Sequence, residues 1–243
     1  MTIQNVTADL QALPQRSLAD DVRSAFAHPR DAWRSLRRWV LLGRYANVSY
    51  GKIVRFRREL RNDHAFQEHL KLCLKEIRYI FPEAAELYVL VRAMKPRTIV
   101  ETGVASGLSS AHMLRALAAN GGGMLYSIDL PNVQEGSVLP NGRSSGWIVP
   151  SSLRGRWKLQ LGDSRKLLPE LLRSVHGVDI FLHDSDHSYE SMLFEFEQAF
   201  PKLERGGLLL SDDVHLHSAW NDFCSKHNLP PTYINHLGVT RKP

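Results

Sequence analysis

The stretch Asp179–Val214, DIFLHDSDHSYESMLFEFEQAFPKLERGGLLLSDDV, reads as strand, helix, strand, with acids gathered at the far end of each strand. Val178 to Leu182 is a short apolar run that stops at His183-Asp184-Ser185-Asp186-His187. Tyr189, Met192, Leu193, Phe196 and Phe200 then recur at helical spacing and make one apolar stripe. Pro201 and the pair Gly206-Gly207 are expected to close the helix. Leu208 to Leu210 is the next strand, ending at Asp212-Asp213. Two sequential strands joined by a helix lie parallel, with both carboxyl ends on one edge of the sheet. If they are neighbours, those ends stand about 4.8 Å apart. Asp184, Asp212 and Asp213 then converge, and carboxylates at one point call for a cation or a functional reason.

The same alternation extends both ways. Upstream, Thr98–Glu101 is a strand, Gly107–Ala119 a helix, Gly121-Gly122-Gly123 a break and Met124–Asp129 a strand. Trp157–Leu161 is a strand and Ser164–Val175 a helix. Downstream come a helix near Ser218–His227 and a strand pair, Thr232–Ile234 and Gly238–Arg241, whose connection is too short for a crossover and so makes an antiparallel hairpin. The expected fold class is α/β, a doubly wound, seven-stranded, mostly parallel sheet with that hairpin at its end. Helices over Ala65–Ile80 and Ala84–Met94 lead into it. The expected division is residues 1–63 as a basic, partly helical extension and 64–243 as the domain.

Pro131–Arg156 breaks the pattern with three prolines and four glycines. A loop this long in a compact domain is usually a lid or substrate loop, or else an unstructured excursion. It leaves the same sheet edge as the acids.

The net charge of +6 is uneven. Residues 1–61 hold 12 Lys/Arg and 5 Asp/Glu, and residues 62–243 hold 19 and 20. In DAWRSLRRWVLLGRY, Trp33, Leu36, Val40 and Leu41 line one face, with Arg34, Arg37 and Arg38 off it. Either this helix meets an anionic partner, such as a membrane surface at its periphery, or it packs on the domain or on a second subunit. A homo-oligomer is expected, and no nucleic-acid motif accompanies the arginines. No run approaches the length of a membrane span, and MTIQNVTADLQ lacks the pattern of a secretory leader. Cys73 and Cys224 fit neither a disulfide framework nor a zinc site, so a reducing cytoplasm is the plain expectation.

The first strand runs into Glu101-Thr102-Gly103-Val104-Ala105-Ser106-Gly107-Leu108-Ser109. A glycine-rich turn opening a helix lets backbone approach a ligand, and the helix N-terminus offers free N–H groups. The spacing is E-x-G-x-x-x-G and not the dinucleotide G-x-G-x-x-G, which argues against a pyrophosphate. Asp129 ends the second strand, where an acid can accept from ribose hydroxyls, and Asp163-Ser164 follow the third.

From Phe81 to Arg241, on ETGVASGLSS, LYSIDLP, LQLGDSRKLLPELL, DIFLHDSDHSYE and GGLLLSDDV, the chain resembles class I S-adenosylmethionine-dependent methyltransferases. It is most similar to the metal-dependent macrolide-sugar and aminocoumarin-sugar O-methyltransferase branch, with catechol O-methyltransferases as more distant relatives. The resemblance implies that Glu101, Thr102, Gly103, Gly107 and Ser109 hold the methionine part of the cofactor. Asp129 would take the ribose, and Asp163 and Ser164 would border the adenine. It further implies a divalent cation, Mg2+ or a substitute, on Asp184, Asp212 and Asp213, and His187 as general base three residues after Asp184. The acceptor is then a hydroxyl of a small molecule, a sugar moiety or natural product. A catechol-type acceptor and a non-catalytic cofactor- or membrane-binding role are the alternatives. Asp213 stands where catechol enzymes usually carry Asn, which favours the sugar branch. Several residues have second readings: Asp212 or Asp213 as a cap, Asp186 as an N-cap, and His183, His215 and His217 as rivals to His187.

Overall fold

The computed structural model describes residues 29–77, 80–131, 139–140 and 142–243. Expectations for residues 1–28, and for 132–138 and 141 of the long loop, lie outside the described residues. The chain divides into two compact units, residues 1–41 and 42–243.

Helix α1 (Pro29–Ala46) spans that division. Of the expected apolar face, Trp33, Leu36 and Val40 are exposed and Leu41 is half-buried, while Trp39, Leu42 and Ala46 are buried. At about 3.6 residues per turn the exposed and buried sets are centred about 120° apart, on adjoining faces of the helix. Both faces are apolar, so periodicity alone had no means to choose between them. No described helix is long and apolar enough to cross a membrane.

In the larger unit, α2 (Tyr50–Arg61) and α3 (His64–Cys73) precede α4 (Ala84–Met94). Glu59 ties α2 to α4, accepting from Tyr88 Oη at 2.6 Å and from Arg92 Nε at 2.7 Å. The helix expected over Ala65–Ile80 ends at Cys73. Beyond it Lys75 and Glu76 are exposed, and Glu76 accepts from Arg143 of the long loop at 2.6 Å.

The sheet has the order β3-β2-β1-β4-β5-β7-β6. Strands β1 (Thr98–Thr102), β2 (Met124–Asp129), β3 (Trp157–Leu161), β4 (Val178–His183) and β5 (Leu203–Ser211) are parallel. Antiparallel to β5 runs β7 (Leu237–Arg241), and β6 (Thr232–Ile234) pairs with its outer edge. The expected doubly wound sheet and C-terminal hairpin are both present. Its crossovers are α5 (Leu108–Asn120), α6 (Ser164–Ser174) and α7 (Tyr189–Ala199), and α8 (Ala219–Lys226) precedes the hairpin. Because β1 lies between β2 and β4, the chain reverses direction of winding there and opens a crevice at the carboxyl ends.

A second boundary differs from its sequence reading. Gly206-Gly207 lie inside β5, where the register with β4 shifts between Val178 and Ile180. Gly206 takes φ 82°, and a Cβ on Gly207 would stand 2.9 Å from the Glu204 carbonyl. The glycines accommodate this irregularity within the strand.

The core on one face of the sheet gathers Phe181, Met192, Phe196, Leu209, Trp220 and Phe223. Phe196 is fully buried and meets Trp220 and Phe223 at ring separations of 5.6 and 5.3 Å. Phe196→Ala is expected to cost about 3–5 kcal/mol, read as a lower urea midpoint with an unchanged slope. A loss below about 1 kcal/mol would show that the cluster does not carry the core.

Candidate active site

Strand β1 delivers the glycine turn against the end of β4. Asp184 N donates to Thr102 O at 2.8 Å, and Gly103 N donates to Ile128 O at 2.9 Å. At Gly103 φ is 82°, and a Cβ there would stand 1.7 Å from the Asp184 carbonyl oxygen. Only glycine fits. Ala105 at φ 46° and Gly107 at φ 94° continue the left-handed turn into α5. Asp129, at the end of β2, accepts from Val104 N at 3.2 Å and so braces the turn from its far side. Asp163 caps α6, accepting from Arg165 N at 2.9 Å.

Glu101 points into the protein. Its carboxyl is fully buried and accepts from the hydroxyls of Ser109 (2.6 Å), Ser110 (2.6 Å) and Ser127 (2.7 Å). Burial pushes it up to about 7, against the opposing pull of those hydroxyls. Glu101 and Ser109 are therefore occupied with each other behind the turn.

The ends of β4 and β5 bring Asp184 and Asp212 together, as the strand–helix–strand reading expects. Asp212 N donates to His183 O at 2.9 Å, and the two carboxyls share a hydrogen bond. Burial raises Asp184 well above the usual carboxylate range, with Asp212 as the next cause. Burial and then the Asp213 charge push Asp212 up to about 6. The Asp212 Oδ1 atom is buried without a hydrogen-bond partner. Asp213 follows at φ 50°, in the strained left-handed region. Among the described residues no group of three His, Cys, Asp or Glu side chains stands ready to hold a metal ion.

His187 Nε2 lies 3.7 Å from Asp184 Oδ1, and burial, with His183 behind it, lowers its pKa. The rival histidines have other partners. His215 Nε2 donates to Asn235 O at 2.8 Å, and His217 Nε2 donates to His187 O at 2.7 Å. His183 is fully buried, with Nδ1 bound to Glu195 at 2.6 Å. Asp186 accepts from Ser188 N and from Ser191 Oγ, next to the α7 N-cap Ser188.

The described part of the long loop closes on the glycine turn. Gly146 N donates to Ala105 O at 2.8 Å and Ile148 N to Ser106 O at 3.2 Å. His69 Nε2 donates to Ile148 O at 2.7 Å, and Ile148 and Val149 are buried. A Cβ on Gly107 would stand 2.7 Å from Gly146 Cα, so glycine at 107 admits the loop.

Several buried acids escape the sequence reading, Glu195 and Glu83 among them. Glu195 accepts from His183 Nδ1, Thr102 Oγ1 and Ser185 Oγ. A glutamate on the buried stripe of α7, between Met192 and Ala199, was its one visible signal. Glu83, before α4, is fully buried, accepts from His236 N at 3.3 Å and is pushed up to about 7 by burial.

Residues 100–214 match a family model described as a methyltransferase domain. Over that span, 115 of the 243 residues, the chain is similar to methyltransferases. Solved structures agree in fold. A Staphylococcus aureus protein described as a caffeoyl-CoA O-methyltransferase has a TM-score of 0.58 and 12% identity, covering 80% of this chain and 100% of its own. A Bacillus cereus O-methyltransferase, solved with S-adenosylhomocysteine, has a TM-score of 0.53 and 16% identity, covering 74% and 92%. The Podospora anserina methyltransferase PaMTH1, also solved with that product, has a TM-score of 0.51 and 12% identity, covering 79% and 87%. No curated protein matches the chain in sequence. The match begins at Val100, so α1 to α4 lie outside it.

Glu101 makes a stability signature of this site. Its folded pKa is raised from 4.5 to about 7, so its contribution is complete below pH 4.5 and is lost as pH rises through 7. Glu101→Gln is expected to remove roughly 3 kcal/mol of that pH dependence, visible as a smaller drop in Tm between pH 5 and pH 8. An unchanged drop would mean that Glu101 ionises freely in the fold.

Proposed function

We propose that the enzyme methylates a hydroxyl of a small molecule, a sugar moiety or natural product bearing a neighbouring oxygen, with help from a divalent cation. The observation that carries this reading is the pairing of Asp184 with Asp212 beside His187, one strand from the glycine turn. The methyl donor takes its place over Gly103–Gly107, with Asp129 on its ribose. Gly146 and Ile148 of the long loop, bonded to Ala105 and Ser106, would screen that place from water.

Asp184, Asp212 and Asp213 are not gathered as a ready site, but their donor chemistry suits a hard cation. All are oxygen donors, two are in contact, and the unpartnered Asp212 Oδ1 is a buried oxygen in want of a positive charge. Bound there, Mg2+ would polarise the acceptor hydroxyl and make its proton easier to lose. His187 is the base. Its lowered pKa keeps it neutral near pH 7, with a lone pair for the hydroxyl proton. With that proton accepted by His187, the hydroxyl oxygen would take the methyl group from the sulfonium donor, whose S–C bond would break in exchange. The products are the methyl ether and S-adenosylhomocysteine, and alignment supplies much of the rate.

Calorimetry with S-adenosylmethionine, with and without Mg2+, tests the donor half. Release of S-adenosylhomocysteine over a panel of sugar diols and catechols tests the acceptor half. His187→Ala is expected to lower turnover about 10²- to 10⁴-fold with cofactor binding kept, and a chelator to lower it as well. Absence of cofactor binding under both conditions would refute the reading. Turnover of catechols alone would move the substrate class to aromatic diols.

A further inference from the structure

Beneath both halves of the crevice lies one carboxylate. Glu195 projects from the buried side of α7 and accepts from His183 Nδ1 at 2.6 Å, from Ser185 Oγ at 2.8 Å and from Thr102 Oγ1. The positions of these donors matter. Thr102 immediately precedes Gly103, the pivot of the glycine turn. His183 and Ser185 flank Asp184 on either side. A single side chain thus grips the residue before the donor site and both neighbours of the central acid. His183 passes the constraint on, since its ring lies edge-on to that of His187 at 5.5 Å.

Packing alone does not call for this residue. Glu195 shares its stripe with Met192, Phe196 and Ala199, and an apolar side chain there would escape the desolvation cost of a buried carboxylate. Burial does push the carboxyl up, but His183, with the hydroxyls of Ser164 and Thr102, holds it below its ordinary value. The charge is kept, and every donor around it leads toward the reacting edge.

We propose that Glu195 is a positioning residue for methyl transfer, fixing Asp184 and His187 against the glycine turn through His183, Ser185 and Thr102. This rests on the reading of Asp184 and His187 given above. Partners of this kind, one shell behind a site, usually change cation affinity or activity by roughly ten- to hundredfold when removed.

The test uses the full chain with Glu195→Gln, which keeps the shape, and Ser185→Ala, which removes one arm at a half-exposed position. Amide hydrogen exchange is followed on peptides covering residues 183–188 and, as control, 108–120. Mn2+ alone is titrated by loss of its paramagnetic resonance signal, and S-adenosylmethionine by calorimetry. Expected for Glu195→Gln is faster exchange confined to 183–188, Mn2+ affinity lower by roughly ten- to hundredfold, and cofactor affinity within about threefold. Ser185→Ala should change the same readouts in the same direction, and it decides the matter if Glu195→Gln does not fold. Unchanged exchange at 183–188 in both variants overturns the proposal. So does loosening that spreads equally to 108–120, because that is a purely structural role. If the unaltered protein binds no Mn2+, the cation reading fails, and the exchange pattern alone then decides the role of Glu195.

Discussion

The closeness of β1 to β4 at their carboxyl ends governs the rest of the crevice. The Asp184 carbonyl occupies the space where any side chain at position 103 would begin, and the Asp184 amide bonds to Thr102. In the proposed reading, the donor and acceptor halves of the site are therefore parts of one backbone contact, not two loops that happen to face each other. Methyl transfer needs nucleophile, carbon and sulfur in line, so a contact that leaves no slack between the halves serves the chemistry directly. The left-handed turn from Gly103 through Ala105 to Gly107 is the conformational cost of bringing the strands that close.

Charge is managed differently in front of the sheet and behind it. Glu101 and Glu195 are both buried beneath the crevice. The first is ringed by three serine hydroxyls and drifts toward neutrality. The second has an imidazole as well and remains below its ordinary range. In front, burial first, and then their own and Asp213's negative charges, drive Asp184 and Asp212 upward. In the proposed reading, a cation would replace the proton that two carboxyls in that state hold between them.

The strand–helix–strand unit from Val178 to Ser211 was legible because its periodicities change cleanly and its acids stand at strand ends. Gly103 was legible because a glycine between a strand and a helix has few other uses. Glu195 was hidden, since an apolar stripe is read by its apolar members and a glutamate inside it passes as a solvent-facing neighbour. Gly206-Gly207 looked like punctuation, and what they serve, a register shift against β4, depends on the partner strand. The closure of the loop on Ala105 and Ser106 runs through backbone amides, which carry no residue signature. In α1, apolar residues on both faces defeated any choice between them.

The C-terminal hairpin has a protective consequence. Leu208, Leu209 and Leu210 of β5 are fully buried, and their outer backbone edge is covered only by β7, through Arg241, Thr240 and Val239. Without β7 the sheet would end in three consecutive leucines with open amides and carbonyls, a template for pairing with another molecule. Gly238 lies so close to Trp220 that an added Cβ would stand 2.7 Å from its ring, so damage there would unseat the strand. Its visible result would be loss of solubility, through aggregation along the β5 edge, with the chemistry of the crevice untouched until then.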